Sequence, residues 1–514
     1  MEILTSFRKL TKEGLHKAGN ISEFYTMMLL LLTCLSMSNI NVKVIIGRMA
    51  SAMNVIGPLS IIFQKIKSLT EKWSYGLHDA YSTVLEDVRD KKVRGMLLRM
   101  GQTIKVGANI SEFAKIEFER FMSTSEAEFD RCMERLKRFS EAYSALLTSF
   151  AFLSVSMLLT SMIYGGARPE QILITSALMM LVTLTCVIFL IFRNSIKFPV
   201  LHSLKERPKN IAKVEKLILP TLIGSILITV IIGVIPIYFD LPNPIYLLYP
   251  VPLPFLIGSV APIVVGLLGK KVVSQVKEIE VAFLSFIKAL ADSLSVTSSL
   301  KLALKPVMLN DYGKLTGLIK RLMNRLKAGF DAGVCLYLFG VESGSKTVAS
   351  CSSVLGECIR SGAKASIYGK VLGDYTNSVL IRRNKRAQVA GNLKGVIIPL
   401  QATLSSVLAL IKVLTGIFRK LMQMVSPYVS IIQVPPELTV NINIYFFSVI
   451  LAVTIGSSLA IYFVEGESRF TLLTYLGLLM IISAASFLAV SFSVESLFRV
   501  MFNVEELGSL VEVS

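Results

Sequence analysis

Residues 217–239 read LILPTLIGSILITVIIGVIPIYF, twenty-three residues without one ionisable side chain. A helix that crosses the hydrocarbon core of a bilayer needs about 20 apolar residues, and this stretch supplies them. Six further windows have the same character: Ala142–Ala167, Gln171–Phe192, Leu241–Gly269, Gly395–Ile411, Leu438–Val464 and Phe470–Val494. Seven spans of this kind predict an all-α, polytopic membrane protein. The fourth window carries Pro244, Pro250, Pro252, Pro254 and Pro262, which predicts a kinked or partly re-entrant path. Lys412, at the edge of the fifth, is placed to snorkel toward the headgroups. Phe24–Val42 is shorter and ends in Ser38-Asn39-Ile40-Asn41, so it reads as a buried helix of a bundle outside the membrane.

Composition agrees with this reading. Of 514 residues, 53% are hydrophobic and only 17% charged, and mean hydropathy is +0.63. A soluble protein carries roughly 25% charged residues, so a purely soluble enzyme is disfavoured. The net charge of +19 is unevenly spread. Residues 1–141 hold +5, residues 193–216 another +5, residues 270–394 +12, and all the rest −3. Basic loops stay on the cytoplasmic side of a membrane. All three basic blocks fall there if the N-terminus is cytoplasmic and seven helices cross, which leaves the acidic tail outside. The organisation is then a basic N-terminal segment, 1–21, and a first cytoplasmic helical domain, 22–141. Spans one to four occupy 142–269, interrupted by the loop 193–216. A second cytoplasmic helical domain covers 270–394, spans five to seven 395–494, and an external tail 495–514.

The chain repeats itself at an offset of about 255 residues. Ile104-Lys105-Val106-Gly107-Ala108 matches Ile359-Arg360-Ser361-Gly362-Ala363, and the first and third spans align with the fifth and seventh. Each unit is one helical domain followed by three spans. The extra fourth span restores the second domain to the side of the first. Val281, Leu284, Ile287, Leu290 and Leu294 recur at helical spacing in the second domain. Charged helices around 126–138 and 377–394 are expected to run straight into the first and fifth spans. Gly107 and Gly362 read as structural repeat glycines, helix C-caps where positive φ is cheap for glycine.

Few residues invite chemistry. Gly340-Val341-Glu342-Ser343-Gly344-Ser345-Lys346-Thr347 nearly spells a phosphate-binding loop, but Ser345 stands where the second glycine belongs. The aligned stretch of the first copy has no glycine, so a plain connection between helices is expected. Six cysteines without regular spacing and three scattered histidines predict neither a disulfide framework nor a metal site. No catalytic residue and no cofactor is expected, and the protein reads as a non-enzyme. The basic clusters are more informative. Lys320, Arg321, Arg325 and Lys327 share one helix and suit acidic residues of a protein partner. Arg382, Arg383, Lys385 and Arg386 lie near the fifth span and suit either anionic lipid headgroups or docking.

This layout, with Lys105-Val106-Gly107-Ala108-Asn109-Ile110-Ser111-Glu112-Phe113 and its partner Arg360-Ser361-Gly362-Ala363-Lys364-Ala365-Ser366, resembles the type II secretion F-domain family. These are the membrane platform proteins of type II secretion, type IV pili and the archaellum. Seven spans with two domains most resemble the archaeal form, from the archaellum or an archaeal pilus. The resemblance implies a multi-pass cell-membrane protein, archaeal and forming a homodimer. It implies three partners: a cytoplasmic hexameric secretion ATPase, pilin- or archaellin-like filament subunits and membrane lipids. Nucleic acid is not among them. The alternative is a transporter or exporter subunit with large cytoplasmic domains. Spans free of mid-membrane charge argue against one coupled to ions or protons.

Overall fold

A computed structural model describes residues 21–164, 169–195, 199–202, 208–238, 251–297, 299–425 and 442–501. The regular secondary structure of those residues is entirely helical, apart from one isolated antiparallel bridge, Leu201 to Ser345. The chain divides into two compact units. One gathers Met1–Asp130, Pro199–Lys209 and Val273–Arg383; the other Arg131–Phe198, Asn210–Val272 and Asn384–Ser514.

The first unit contains both copies of the repeated helical domain. Its first copy is α1 (Ile21–Met37), α2 (Val42–Ser51), α3 (Met53–Ile56), α4 (Leu59–Lys72), α5 (Leu77–Leu85), α6 (Lys91–Val106) and the start of α7 (Ile110–Tyr164). The loop 193–216 and the spans bring α8 (Pro169–Asn194), α9 (Lys209–Lys216) and α10 (Ile218–Tyr238). The second copy is the end of α11 (Pro252–Val296), then α12 (Leu300–Val307), α13 (Lys314–Lys327), α14 (Ala332–Glu342), α15 (Lys346–Arg360) and the start of α16 (Ala365–Val425). From α4 onward the copies keep register. The 255-residue offset carries α4 onto α13 at both ends, the α5 start onto the α14 start, and the Asp90 N-cap onto the Ser345 N-cap.

Each helix end has a local cause. The Asp90 carboxylate accepts from the amides of Lys92 and Val93, and the Ser345 hydroxyl from that of Val348. At the far ends, Gly107 and Gly362 take φ of +68° and +70°. The Gly107 amide donates to the Ile104 carbonyl and that of Ala108 to Thr103, while Gly362 and Ala363 repeat the pattern on Ile359 and Cys358. Both are Schellman closures, in which a left-handed residue lets the next amide reach back across the last turn.

The two copies share one hydrophobic core rather than closing separately. Helix α1 is apolar all round. Met28 to Leu32, Cys34 and Leu35 are all buried, and such a helix needs cover on every side. Helix α15 of the second copy provides part of it, packing on α1 and α3. Polar contacts cross the same seam. Lys346 pairs with Glu23 at 2.6 Å, the Lys364 amide donates to the Ser38 hydroxyl, and the Arg48 guanidinium donates to the Arg360 carbonyl. On α11 the buried stripe is Phe283, Phe286, Ile287 and Leu290, while Val281, expected inside, is exposed. The phenylalanines rotate that stripe toward Phe339 and Tyr312.

The second unit contains the apolar helices. Six described helices are long and apolar enough to cross a membrane: α8, α10, α11, α16, α17 (Ile442–Glu465) and α18 (Phe470–Met501). The chain is therefore an all-α polytopic membrane protein. The window Ala142–Ala167 lies on α7 and runs beyond the described residues, as do Leu241–Pro250 and the segment 502–514. From Pro252 onward the fourth window lies on one helix, with Pro262 inside it, while Pro244 and Pro250 fall outside the described residues. The helices approach closely at small residues, as apolar helices in lipid must. A Cβ on Gly266 of α11 would lie 2.6 Å from the Thr474 backbone nitrogen of α18. Hydroxyls and an amide tie other helices together. Ser225 donates to the Gly258 carbonyl, Tyr143 and Ser457 pair at 3.0 Å, and the buried Gln401 amide donates to Thr454 and Ser483.

Candidate docking surface

Helix α13 is sharply two-faced. Leu315, Leu318, Ile319, Leu322 and Met323 are buried, so the 3.6-residue repeat turns Lys320, Arg321 and Lys327 outward. Arg325 is half-buried and forms an ion pair with Glu342 at the end of α14; Arg321 approaches the same carboxylate at 3.5 Å. The four expected docking cations therefore share one helix, three exposed and one held partly inside. The next turn is also organised. Gly329 has φ of +85°, and Asp331 accepts from the amides of Gly333 and Val334 to start α14. The Arg360 guanidinium hydrogen-bonds the Asp331 carboxylate and holds its pKa below the usual carboxylate range.

The second basic cluster does not form a surface. Arg383 is 6% exposed and pairs at 2.6 Å with Glu280, itself 1% exposed; its guanidinium also donates to the Thr347 hydroxyl. Arg386, 1% exposed, donates to the carbonyls of Val464 and Phe463 and to the Ser195 hydroxyl. These are the last carbonyls of α17, where a cation meets the negative end of the helix dipole. Arg382 is half-buried and donates to the Ser125 hydroxyl, and Lys385 is half-buried. The lipid-facing or docking role expected of this set is corrected for Arg383 and Arg386, whose side chains turn inward. Charge along a sequence does not say how many faces of a helix are covered, and α16 is covered on more than one.

The stretch resembling a phosphate loop is closed by the protein's own groups. Ser345 is fully buried, caps α15 and donates to the Glu280 carboxylate. Lys346 is held by Glu23 and Thr347 by Arg383. A segment of the 193–216 loop also lies across this turn. The Lys346 amide donates to the Val200 carbonyl at 2.9 Å, and the His202 amide to that of Gly344 at 3.2 Å. The buried His202 ring places Nε2 at 2.7 Å from the Val341 carbonyl, which can only accept, so Nε2 carries the proton. Sequence reading missed this clasp, since its one signal is a lone histidine in a basic loop. Gly107 and Gly362 serve backbone geometry, as described above, and touch no side chain a partner would need.

No protein-family model matches the chain, and no solved structure matches it. It is, however, 23% identical over 471 residues to flagella accessory protein J of Methanocaldococcus jannaschii, an alignment covering 88% of this chain and 81% of that protein. A match of that extent is longer than either copy of the repeat or any one apolar helix. Along most of its length the chain is therefore similar to flagella accessory protein J.

Proposed function

We propose that this protein is the integral-membrane platform of a type IV pilus-like machine, an archaellum or archaeal pilus. In this reading it sits in the cell membrane with its N-terminus and first unit in the cytoplasm. A hexameric secretion ATPase docks on that unit, and its motion is passed to the apolar helices, where filament subunits leave the lipid for the growing filament. The protein performs no chemistry itself, and a dimer on the filament axis suits a duplicated chain. The homology along 88% of the chain carries the proposal. Supporting it are the basic outer face of α13 and the blocked phosphate-like loop, which leave nucleotide hydrolysis to a partner. Helices α7 and α16 begin in the first unit and end among the apolar segments of the second, as a mechanical coupling requires. Deleting the gene tests the reading. Cells without the protein should retain filament subunits in the membrane and show no filaments in electron micrographs, with recovery on complementation. Normal filaments in the deletion strain would contradict it.

A further inference from the structure

The duplicated unit repeats one feature that its fold does not need. Helix α4 ends at Lys72 and α13 at Lys327, equivalent positions of the two copies. Each is followed by a left-handed residue, Ser74 at φ +52° and Gly329 at φ +85°, and then by an aromatic ring at equivalent sites, Tyr75 and Phe330. The amide of each ring residue reaches back into its helix, Tyr75 to the Leu69 carbonyl at 3.1 Å and Phe330 to that of Arg325 at 3.2 Å. In such closures the residue after the left-handed one ordinarily packs on the last turn. Here Phe330 is 61% exposed, Tyr75 47%, and the neighbouring Trp73, the chain's only tryptophan, 68%. A single exposed ring is unremarkable in a folded protein. An exposed aromatic ring at the equivalent site of both copies, just after a left-handed residue and close to the same lysine, is different. In the first copy it follows a serine at positive φ, a conformation unfavourable for a non-glycine residue.

We propose that the turns at 72–75 and 327–330 are a duplicated pair of docking knobs. Each seats an aromatic ring in an apolar, carboxylate-rimmed cup on the cytoplasmic ATPase, the two cups belonging to two subunits of its ring. The proposal rests on the platform reading above and names the surface through which that partner is held. Two equivalent knobs in one chain call for two equivalent cups, which a ring of identical subunits supplies. Charge sets the chemistry of the rim. From Lys320 to Asp331 there are four basic side chains against one acidic, and Lys72 and Lys327 stand at the foot of the two knobs. Glu71 and Asp331, also beside the turns, disfavour an anionic lipid surface as the occupant. Buried aromatic anchors with a charged rim are the usual division of labour at an interface: the rings set the dissociation rate and the rim the association rate.

The test uses the full-length protein in nanodiscs of neutral lipid and the purified hexameric ATPase of the same organism. Phe330→Ser, and Trp73→Ser with Tyr75→Ser, should each raise Kd by about 10- to 30-fold, and the combination should abolish measurable binding. Leu309→Ser, which removes an 87% exposed but unduplicated apolar side chain, should leave binding unchanged. Unfolding temperatures should match wild type, because none of these residues is buried. A 5-fluorotryptophan label at Trp73 should shift its single fluorine resonance when the ATPase is added. Wild-type Kd in the combined variant would overturn the knobs. If reversing Lys320, Arg321 and Lys327 to glutamate then still abolished binding, the ATPase reading would stand without them. Failure of the wild-type protein to bind the ATPase at all would sink both. Ring variants that bind the ATPase normally but lose binding to anionic vesicles would make the turns lipid contacts and also overturn the proposal.

Discussion

Replacing Gly107 or Gly362 by alanine should cost about 1 kcal/mol each, the penalty of a Cβ in the left-handed region, since no neighbouring atom obstructs the added methyl. Asparagine should cost less, and thermal unfolding of the purified protein distinguishes the two. The buried Glu280–Arg383 pair behaves differently. Arg383→Ala strands a carboxylate in the core and should cost about 3–5 kcal/mol, whereas Glu280→Leu combined with Arg383→Met should recover most of it. Asp331 supplies a pH signature. Because Arg360 lowers its pKa in the folded state, the pair stabilises the protein above the ordinary carboxylate range. That contribution is lost as the pH falls through the lowered value. Asp331→Asn keeps a cap acceptor but no charge, so its unfolding temperature should fall less steeply in acid than that of wild type. The glycines were readable because they stand at matching positions in two copies. The inward turn of Arg383 was not, because its acidic partner lies on α11, far away along the chain.

Helices are the scale at which sequence spoke most clearly, since a charge-free run of some 20 residues has few other uses. Their neighbours are a matter of shape. Gly266→Val should separate α11 from α18, because the new side chain meets the backbone of Thr474 rather than a side chain that can move. The expected result is a lower unfolding temperature and less protein recovered from the membrane, with Gly224→Val, an open position, as the harmless control. The prolines in the described part of the fourth window fall mostly where a helix tolerates them. Pro252 and Pro254 fall in the first turn of α11, where no helical amide is lost, and only Pro262 lies deep inside it. On α13 the four cations were legible as one helical stretch, whereas the Arg325–Glu342 pair needed the next helix to be in place.

At the scale of the whole molecule, the repeat announced duplication but not the shared core. Periodicity shows that a helix has an apolar face, not which copy covers it, and α1 is covered in part by α15. Topology is open to direct measurement. In intact cells a membrane-impermeant thiol reagent should reach a cysteine introduced near Ser509, beyond the described residues, and should miss one at Lys320. The central claim, a membrane platform that holds an ATPase through the first unit, is tested most directly by a photo-crosslinking amino acid placed at Lys320 in cells that are assembling filaments. Irradiation should yield one main adduct, containing the hexameric ATPase, and the adduct should disappear when Arg321 and Lys327 are reversed to glutamate. Filaments that assemble normally while Lys320 gives no ATPase adduct would contradict the account.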